Sequence, residues 1–416
     1  MVRQRFNFLN NALSKSGFLL AFFYIITCRS SKYREKAVYR IAEFAGVDKN
    51  NIFLFGAGRM AVYSLLKSLR LSNSDEVIVA GYTCVVLTNA VKFAGCQIRY
   101  VDISPSTLNL DTDLLLKSIN TKTKVIIIPH NFGFAYSEIR KVKELHPGII
   151  LIEDAAHCFG SVDKYGEFCG TIADAGFFSF EYSKPLTTGL GGALIINNPD
   201  LLPEFQTYYS RLALMSRKNT FRIFISLGAH NLLYNKKSVF LYLSMIKVLR
   251  AFNLLYTTSN KEISGELPEN YPVRLRDSLA CLLWPQLKSI EKINSIKNSI
   301  VSSYDEAFEG FKDLYRMEDE CSVLVRYPLV FLTHIDESKI RLIHQDALLA
   351  GLNLGVWFND VVHPAGSFRY CYLEGSCRVG ESTSKRIINL PVNSNYPDMK
   401  KELEDLVFIL RKHGVN

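Results

Sequence analysis

Phe177–Gly192 reads FFSFEYSKPLTTGLGG: a short aromatic strand, a lone lysine at Lys184 five residues after Ser179, and a glycine-rich turn. Upstream, Ile149–Gly160 reads IILIEDAAHCFG, a buried-strand pattern that ends in Glu153 and Asp154. Short apolar runs bounded by polar or glycine-rich residues fit strands covered on both faces. Working outward, the same pattern recurs at Ile52–Phe55, Val77–Ala80, Ile98–Val101, Val125–Pro129 and Ala193–Ile196. Helix-length stretches stand between several of them, at Val85–Ala94, Asp111–Ile119 and Ser137–Leu145. This alternation predicts an α/β fold, a mostly parallel sheet flanked by helices. Ligands of such sheets sit beyond the carboxyl ends of the strands, where Asp154 and Ser179 fall.

A chain of 416 residues exceeds the roughly 250–300 residues at which single cores stop growing. The pattern divides it into an N-terminal helical segment over 1–50, a large domain over 51–290 and a smaller α+β domain over 291–416. Leu275 opens an amphipathic helix running to Phe308, across the boundary between the large and the smaller domain, with Leu279, Leu282, Leu283, Leu287 and Ile290 at helical spacing. In the small domain VLVRYPLVFL, from Val323, reads as a strand and Glu337–Ala350 as a helix. Nine cysteines without a CxxC pair indicate neither a zinc site nor a disulfide framework, so a cytoplasmic, reducing setting is expected and no metal is assigned.

The net charge of +9 has a location. Phe205–Lys261, an insertion of about 205–261, contains no Asp or Glu and nine Lys and Arg, equal to the whole excess. Met1–Arg34 is also free of acids and carries six basic residues around the apolar Gly17–Cys28. That apolar run is shorter than the roughly 20 residues a spanning helix needs, and no small-residue cleavage site follows it. It reads as a core or interfacial helix. Two readings of the basic apolar segments stay open: peripheral contact with the anionic cytoplasmic face of the membrane, or packing between domains or subunits with the cations solvated.

Lysine is a nucleophile only once it loses its proton, and burial lowers its pKa enough to allow this. Lys184 has Glu181 as the acid nearest in sequence. Asp154 should emerge at the carboxyl end of its strand, where an unpaired carboxylate is costly. Either it or Glu153 would otherwise cap a following helix or bind a metal. His157 would face the same pocket if the segment after Asp154 turns helical; a buried histidine satisfied by backbone is the alternative. Gly56–Met60 (GAGRM) lies between a strand and a helical pattern. Glycines before a helix start leave N–H groups free to cradle a phosphate, although a tight turn explains them equally well.

With these pieces in order, the chain resembles the DegT/StrS family of pyridoxal phosphate-dependent sugar aminotransferases, of aspartate aminotransferase fold type I. The resemblance rests on DEVIVAGYTCVVLTNAVKFAG, VDISPSTLNLD, HNFG, IEDAAHCFGS and FFSFEYSK, in that order along the chain. It implies that Lys184 is joined covalently to pyridoxal 5′-phosphate and that Asp154 pairs with its ring nitrogen. His157 takes the place of a glutamine or histidine, while Ser179 and the backbone at Gly58 and Arg59 hold the phosphate. It further implies a cytoplasmic homodimer that moves an amino group from an amino acid, glutamate, to a nucleotide-linked keto sugar in cell-surface polysaccharide or glycoconjugate biosynthesis, with no nucleic-acid partner. Dehydratases of the family carry a histidine in place of this lysine, so Lys184 points to the aminotransferase branch. Three positions depart from the pattern. Cys84 stands where an aromatic residue usually stacks on the cofactor ring, with Tyr82 as the candidate replacement; Leu190 replaces a glutamate; Pro272 replaces an asparagine that reaches a neighbouring subunit's phosphate. Cys84 and Pro272 keep open the alternative of a non-transaminating regulator that retains the fold.

Overall fold

The computed structural model of the chain describes residues 6–9, 12–234, 239–256, 260–315, 317 and 322–416. Helices α1 (Lys15–Ile26) and α2 (Ser30–Ala45) precede β1 (Ile52–Phe55), α3 (Gly58–Ser68), β2 (Glu76–Ala80), β3 (Thr83–Cys84) and α4 (Val85–Ala94). The chain continues through β4 (Gln97–Val101), α5 (Thr112–Ser118), β5 (Thr123–Pro129), α6 (Ile139–Leu145), β6 (Ile150–Asp154), β7 (Ala175–Ser179) and β8 (Gly192–Ile196). Seven of these strands form one sheet in the order β1-β8-β7-β6-β5-β2-β4. The apolar runs become strands because both faces are covered: every residue of β1 and β8 is buried.

Neighbours from β4 to β7 run parallel, as the alternating pattern predicts. Strand β8 runs antiparallel to both β7 and β1. A parallel return requires a crossover, usually a helix, and no helix lies between Ser179 and Gly192. The chain therefore doubles back through the loop that carries Lys184. Asp154 pairs in register with Phe177 on the adjacent strand, so this loop leaves the sheet beside the carboxyl end of β6.

The insertion contributes α7 (Leu202–Ser210), α8 (Arg217–Leu233), α9 (Val239–Ala251) and α10 (Asn260–Ile263). The single helix expected from Leu275 to Phe308 is instead three: α11 (Asp277–Ala280), α12 (Leu283–Leu287) and α13 (Ile290–Phe308). Pro285 lacks the N–H that would bond back along a continuous helix. Within α12, the Gln286 side chain accepts from Thr187 N–H (2.9 Å) and donates to Thr187 C=O (2.7 Å), clamping the Lys184 loop.

The region expected to form the small domain holds β9 (Arg326–Val330), α14 (Glu337–Leu349), β10 (Val362–His363), α15 (Arg378–Lys385), β11 (Ile387–Pro391) and α16 (Lys400–Lys412). β9 and β11 pair antiparallel, whereas β10 pairs with β3 of the large domain, His363 opposite Cys84. Ile78, Ile126 and Ile128 of the sheet share one apolar core with Leu329 and Ile388 of the small domain. Burying that area ties the two parts together at roughly 25 cal/mol per Å² of apolar surface. No helix among the described residues is long and apolar enough to cross a membrane.

Candidate functional site

A cavity of about 430 Å³ opens at the carboxyl ends of β6 and β7. Lys184, Asp154, His157, Ser179, Gly58, Arg59 and Cys84 all line it, although they come from four separate stretches of chain. Tyr82 does not. It is fully buried, and its hydroxyl accepts the Phe358 N–H at 3.0 Å, behind the cavity wall.

The two acids of Glu153–Asp154 have different fates because successive strand residues point to opposite faces. Glu153 is wholly buried and accepts from His130 Nε2 (2.9 Å) and from the N–H groups of Gly170, Ile172 and Ala173 (each 2.7 Å). Four donors hold it as an anchor for the loop between β6 and β7. His130 comes within 4.8 Å of the Cys158 and Cys169 thiols, but both its ring nitrogens are already engaged, one by Glu153 and the other by the Tyr136 N–H. Asp154 turns to the cavity with one oxygen accepting the Ala156 N–H at 3.1 Å. Burial raises its pKa, and the charge of Lys184 opposes that rise.

No helix follows Asp154; Ala156 and His157 form a turn. This corrects the helical route by which His157 was expected to reach the pocket, and it removes helix capping as a role for either acid. The turn brings His157 to the cavity nonetheless. Its Nδ1 accepts the Phe132 N–H at 3.2 Å, so the ring proton sits on Nε2. Burial first, then the charges of Lys184 and Arg326, hold its pKa well below the ordinary histidine value, which keeps the ring neutral. Backbone satisfaction and a place in the site are therefore both true of this residue.

Lys184 itself lies with its Nζ 4.6 Å from the centre of the Trp357 ring. Burial lowers its pKa; Glu181, Cys84 and Asp154 pull the other way and Arg326 adds to the lowering. Burial also pushes the Cys84 thiol up, so Cys84 is a neutral wall.

The opposite end of the cavity is built around the start of α3. Its N-cap residue, Ala57, offers no capping side chain, and a helix start leaves backbone N–H groups without intrahelical partners. Three elements converge there only because glycines permit it. A Cβ on Gly58 would lie 3.0 Å from the Phe178 carbonyl oxygen, and one on Gly192 would lie 2.4 Å from the Gly58 nitrogen. The Arg59 guanidinium is turned away and forms a buried bidentate pair with Glu262, Nη2 to Oε2 at 2.9 Å. What Arg59 offers the cavity is its backbone.

This donor set fits pyridoxal 5′-phosphate. The uncapped helix start and the Ser179 hydroxyl suit a phosphate dianion, the Asp154 carboxylate suits a protonated ring nitrogen, and an amine of lowered pKa suits an aldehyde carbon.

Among the lining residues that sequence reasoning missed are Arg326 and Trp357, both from the C-terminal third of the chain. Arg326 is buried, its Nε has no hydrogen-bond partner among the described residues, and burial brings its pKa down to about 9. Its guanidinium lies 3.3 Å from the centre of the Trp357 ring and 4.7 Å from that of Phe8. On its other side Trp357 stacks on His157, at 4.9 Å and 10°. A lone arginine inside the apolar VLVRYPLVFL was the one local signal; nothing near Trp357 in sequence marks it.

The DegT/DnrJ/EryC1/StrS aminotransferase family model matches residues 31–229 and 242–408. The chain is 31% identical over 165 residues to dTDP-4-dehydro-2,3,6-trideoxy-D-glucose 4-aminotransferase of Saccharopolyspora spinosa, covering 38% of this chain and 42% of that protein. It is 34% identical over 146 residues to GDP-perosamine synthase of Escherichia coli O157:H7, covering 35% and 40%. These alignments span about two fifths of the length of those relatives. Among solved structures, Helicobacter pylori PseC, an aminotransferase involved in the biosynthesis of pseudoaminic acid, matches the fold at a TM-score of 0.72 and 19% identity, over 98% of each chain.

Proposed function

The chain belongs to the DegT/DnrJ/EryC1/StrS aminotransferase family, and from that premise we propose that it is a pyridoxal phosphate-dependent aminotransferase moving an amino group from glutamate to a nucleotide-linked keto sugar. The observation that carries this reading is the meeting of Lys184, Asp154 and the uncapped start of α3 in one cavity. Family resemblance supports the further parts: a cytoplasmic homodimer serving cell-surface polysaccharide or glycoconjugate biosynthesis.

When bound, pyridoxal phosphate supplies an electron sink for a carbanion beside the reacting nitrogen. The residues of this chain do the rest. Gly58 and Arg59 N–H groups and the Ser179 hydroxyl would hold the phosphate, and Asp154 would keep the ring nitrogen protonated. The Nε2–H of His157 is free to donate to the ring hydroxyl. The amine of Lys184 would hold the cofactor at rest and, once freed, would serve as the base that carries the proton between the donor's α-carbon and C4′. The same groups act in reverse order on the sugar ketone.

Arg326 gives the donor carboxylate a counter-charge, since a buried guanidinium with an unpaired Nε gains most from an anion. Arg326→Gln is expected to raise the donor KM by about tenfold to a hundredfold, with the sugar KM unchanged, in separately measured half-reactions.

The test of the whole reading is spectroscopic. Purified protein given the cofactor should turn yellow, lose that absorption on adding glutamate, and regain it with a keto sugar acceptor. A yellow protein that no amino donor bleaches would refute transamination and leave a regulator that retains the cofactor.

A further inference from the structure

The insertion and the N-terminal helix are not used by the site, and they are unusual on the surface. Helix α1 is apolar on two sides. Gly17, Phe18, Ala21 and Tyr24 are buried against the body, while Leu19, Leu20, Phe23 and Ile26 point outward and are exposed. Helix α8 packs beside it, with Phe224 stacked on Phe18 (5.0 Å) and Phe22 (5.9 Å). Helix α9 then packs on α8, its Tyr242 edge-on to His230 (5.3 Å) and Tyr234 (5.2 Å). The three helices form one continuous layer. The outermost, α9, leaves Leu241 62% exposed, Val248 50% and the following Phe252 73%. A soluble monomer rarely presents so many large apolar side chains on adjoining helices without a partner.

Charge identifies the partner. Arg217 and Lys218 on α8 and Lys247 and Arg250 on α9 are exposed, and none of them forms an ion pair with a described residue. Between Phe205 and Lys261 the sequence offers no acid that could pair with them, and Met1–Arg34 offers none either. Lys236 and Lys237, which add to this charge, lie outside the described residues. A second copy of the chain meeting this face symmetrically would bring two acid-free cationic patches together, because a two-fold contact uses the same surface patch on both subunits. An anionic lipid surface satisfies both features at once, with apolar side chains entering the acyl boundary and flanking cations meeting phosphates. No described helix is long and apolar enough to cross a bilayer, and the contact argued for is one of a surface helix layer.

We propose that α1, α8 and α9 form a docking face for a bilayer containing anionic phospholipids. The face holds the enzyme at a membrane surface and takes no part in its chemistry.

Vesicle co-sedimentation of the full-length protein tests this. The protein should sediment with vesicles of phosphatidylglycerol and phosphatidylcholine at low salt, stay in the supernatant with phosphatidylcholine alone, and be released from the anionic vesicles at high salt. The double variants Leu241→Ser with Phe252→Ser, and Lys247→Glu with Arg250→Glu, change exposed positions. Each should retain helical circular dichroism and the cofactor absorption yet bind anionic vesicles at least about tenfold more weakly. No sedimentation with anionic vesicles, equal binding to both lipid mixtures, or unaltered binding by both variants would overturn the proposal. So would a dimer in sedimentation velocity that Leu241→Ser with Phe252→Ser converts to monomer while vesicle binding stays the same, which would assign the face to a second copy.

Discussion

Lys184→Ala is expected to abolish transamination, with kcat for the donor half-reaction falling by at least about 10³-fold, within the range attributed to a positioned general base. On the proposed mechanism two losses would coincide: the covalent tether and the group that moves the proton between the α-carbon and C4′. Lys184 is suited to the second task because burial lowers its pKa, so the neutral amine exists at a lower pH than for a free lysine. Single-turnover absorbance after mixing with glutamate measures the effect. Added small amines should restore part of the proton-transfer rate in the variant, whereas a variant that had lost only its fold would show no rescue. A variant that still turns over at the wild-type rate would remove Lys184 from the mechanism.

Asp154→Asn should be nearly as damaging, by roughly 10²–10³-fold in kcat, the range for removing one preorganised electrostatic partner of a reacting group. The change keeps shape and removes charge. Asp154 must be ionised to keep a proton on the ring nitrogen, and burial raises its pKa above the ordinary aspartate value while Lys184 opposes the rise. Activity governed by this group is therefore present above the raised pKa and lost as the pH falls through it. Asp154→Asn should flatten the acid limb of the wild-type kcat/KM profile, wherever the balance between burial, which raises this pKa, and a protonated ring nitrogen, which lowers it, sets that limb. A variant profile with the same acid limb would assign that limb to another group.

The strands, helices and cavity-lining residues just described differ in how far the sequence revealed them. The strand runs were legible because burial on both faces leaves a local mark, a short apolar stretch with turn residues at its ends. Ser179, Lys184 and Asp154 were legible as a group because each sits at or just after a strand end, where an α/β sheet places its ligands. The single helix from Leu275 was misread because amphipathic spacing continues through Pro285, and periodicity does not register a missing N–H. His157 was assigned to the pocket by a helical route that a turn replaces. Tyr82, the aromatic residue close to Cys84 in the sequence, stays out of the cavity because its buried hydroxyl is committed to Phe358, a partner far along the chain.

By itself the sequence determined what depends on neighbours a few residues apart: an α/β chain, the order of its chemical groups, and a basic excess confined to segments without acids. Only the tertiary structure decided which of Glu153 and Asp154 faces the cavity, because the alternation of a strand says that they differ and the packing of the β6–β7 loop says which is which. It alone brought Arg326 and Trp357 onto Lys184 and His157, and it alone laid α1, α8 and α9 side by side with their apolar faces outward. Those contacts join residues remote in the chain, and their energy comes from burial that no local pattern records.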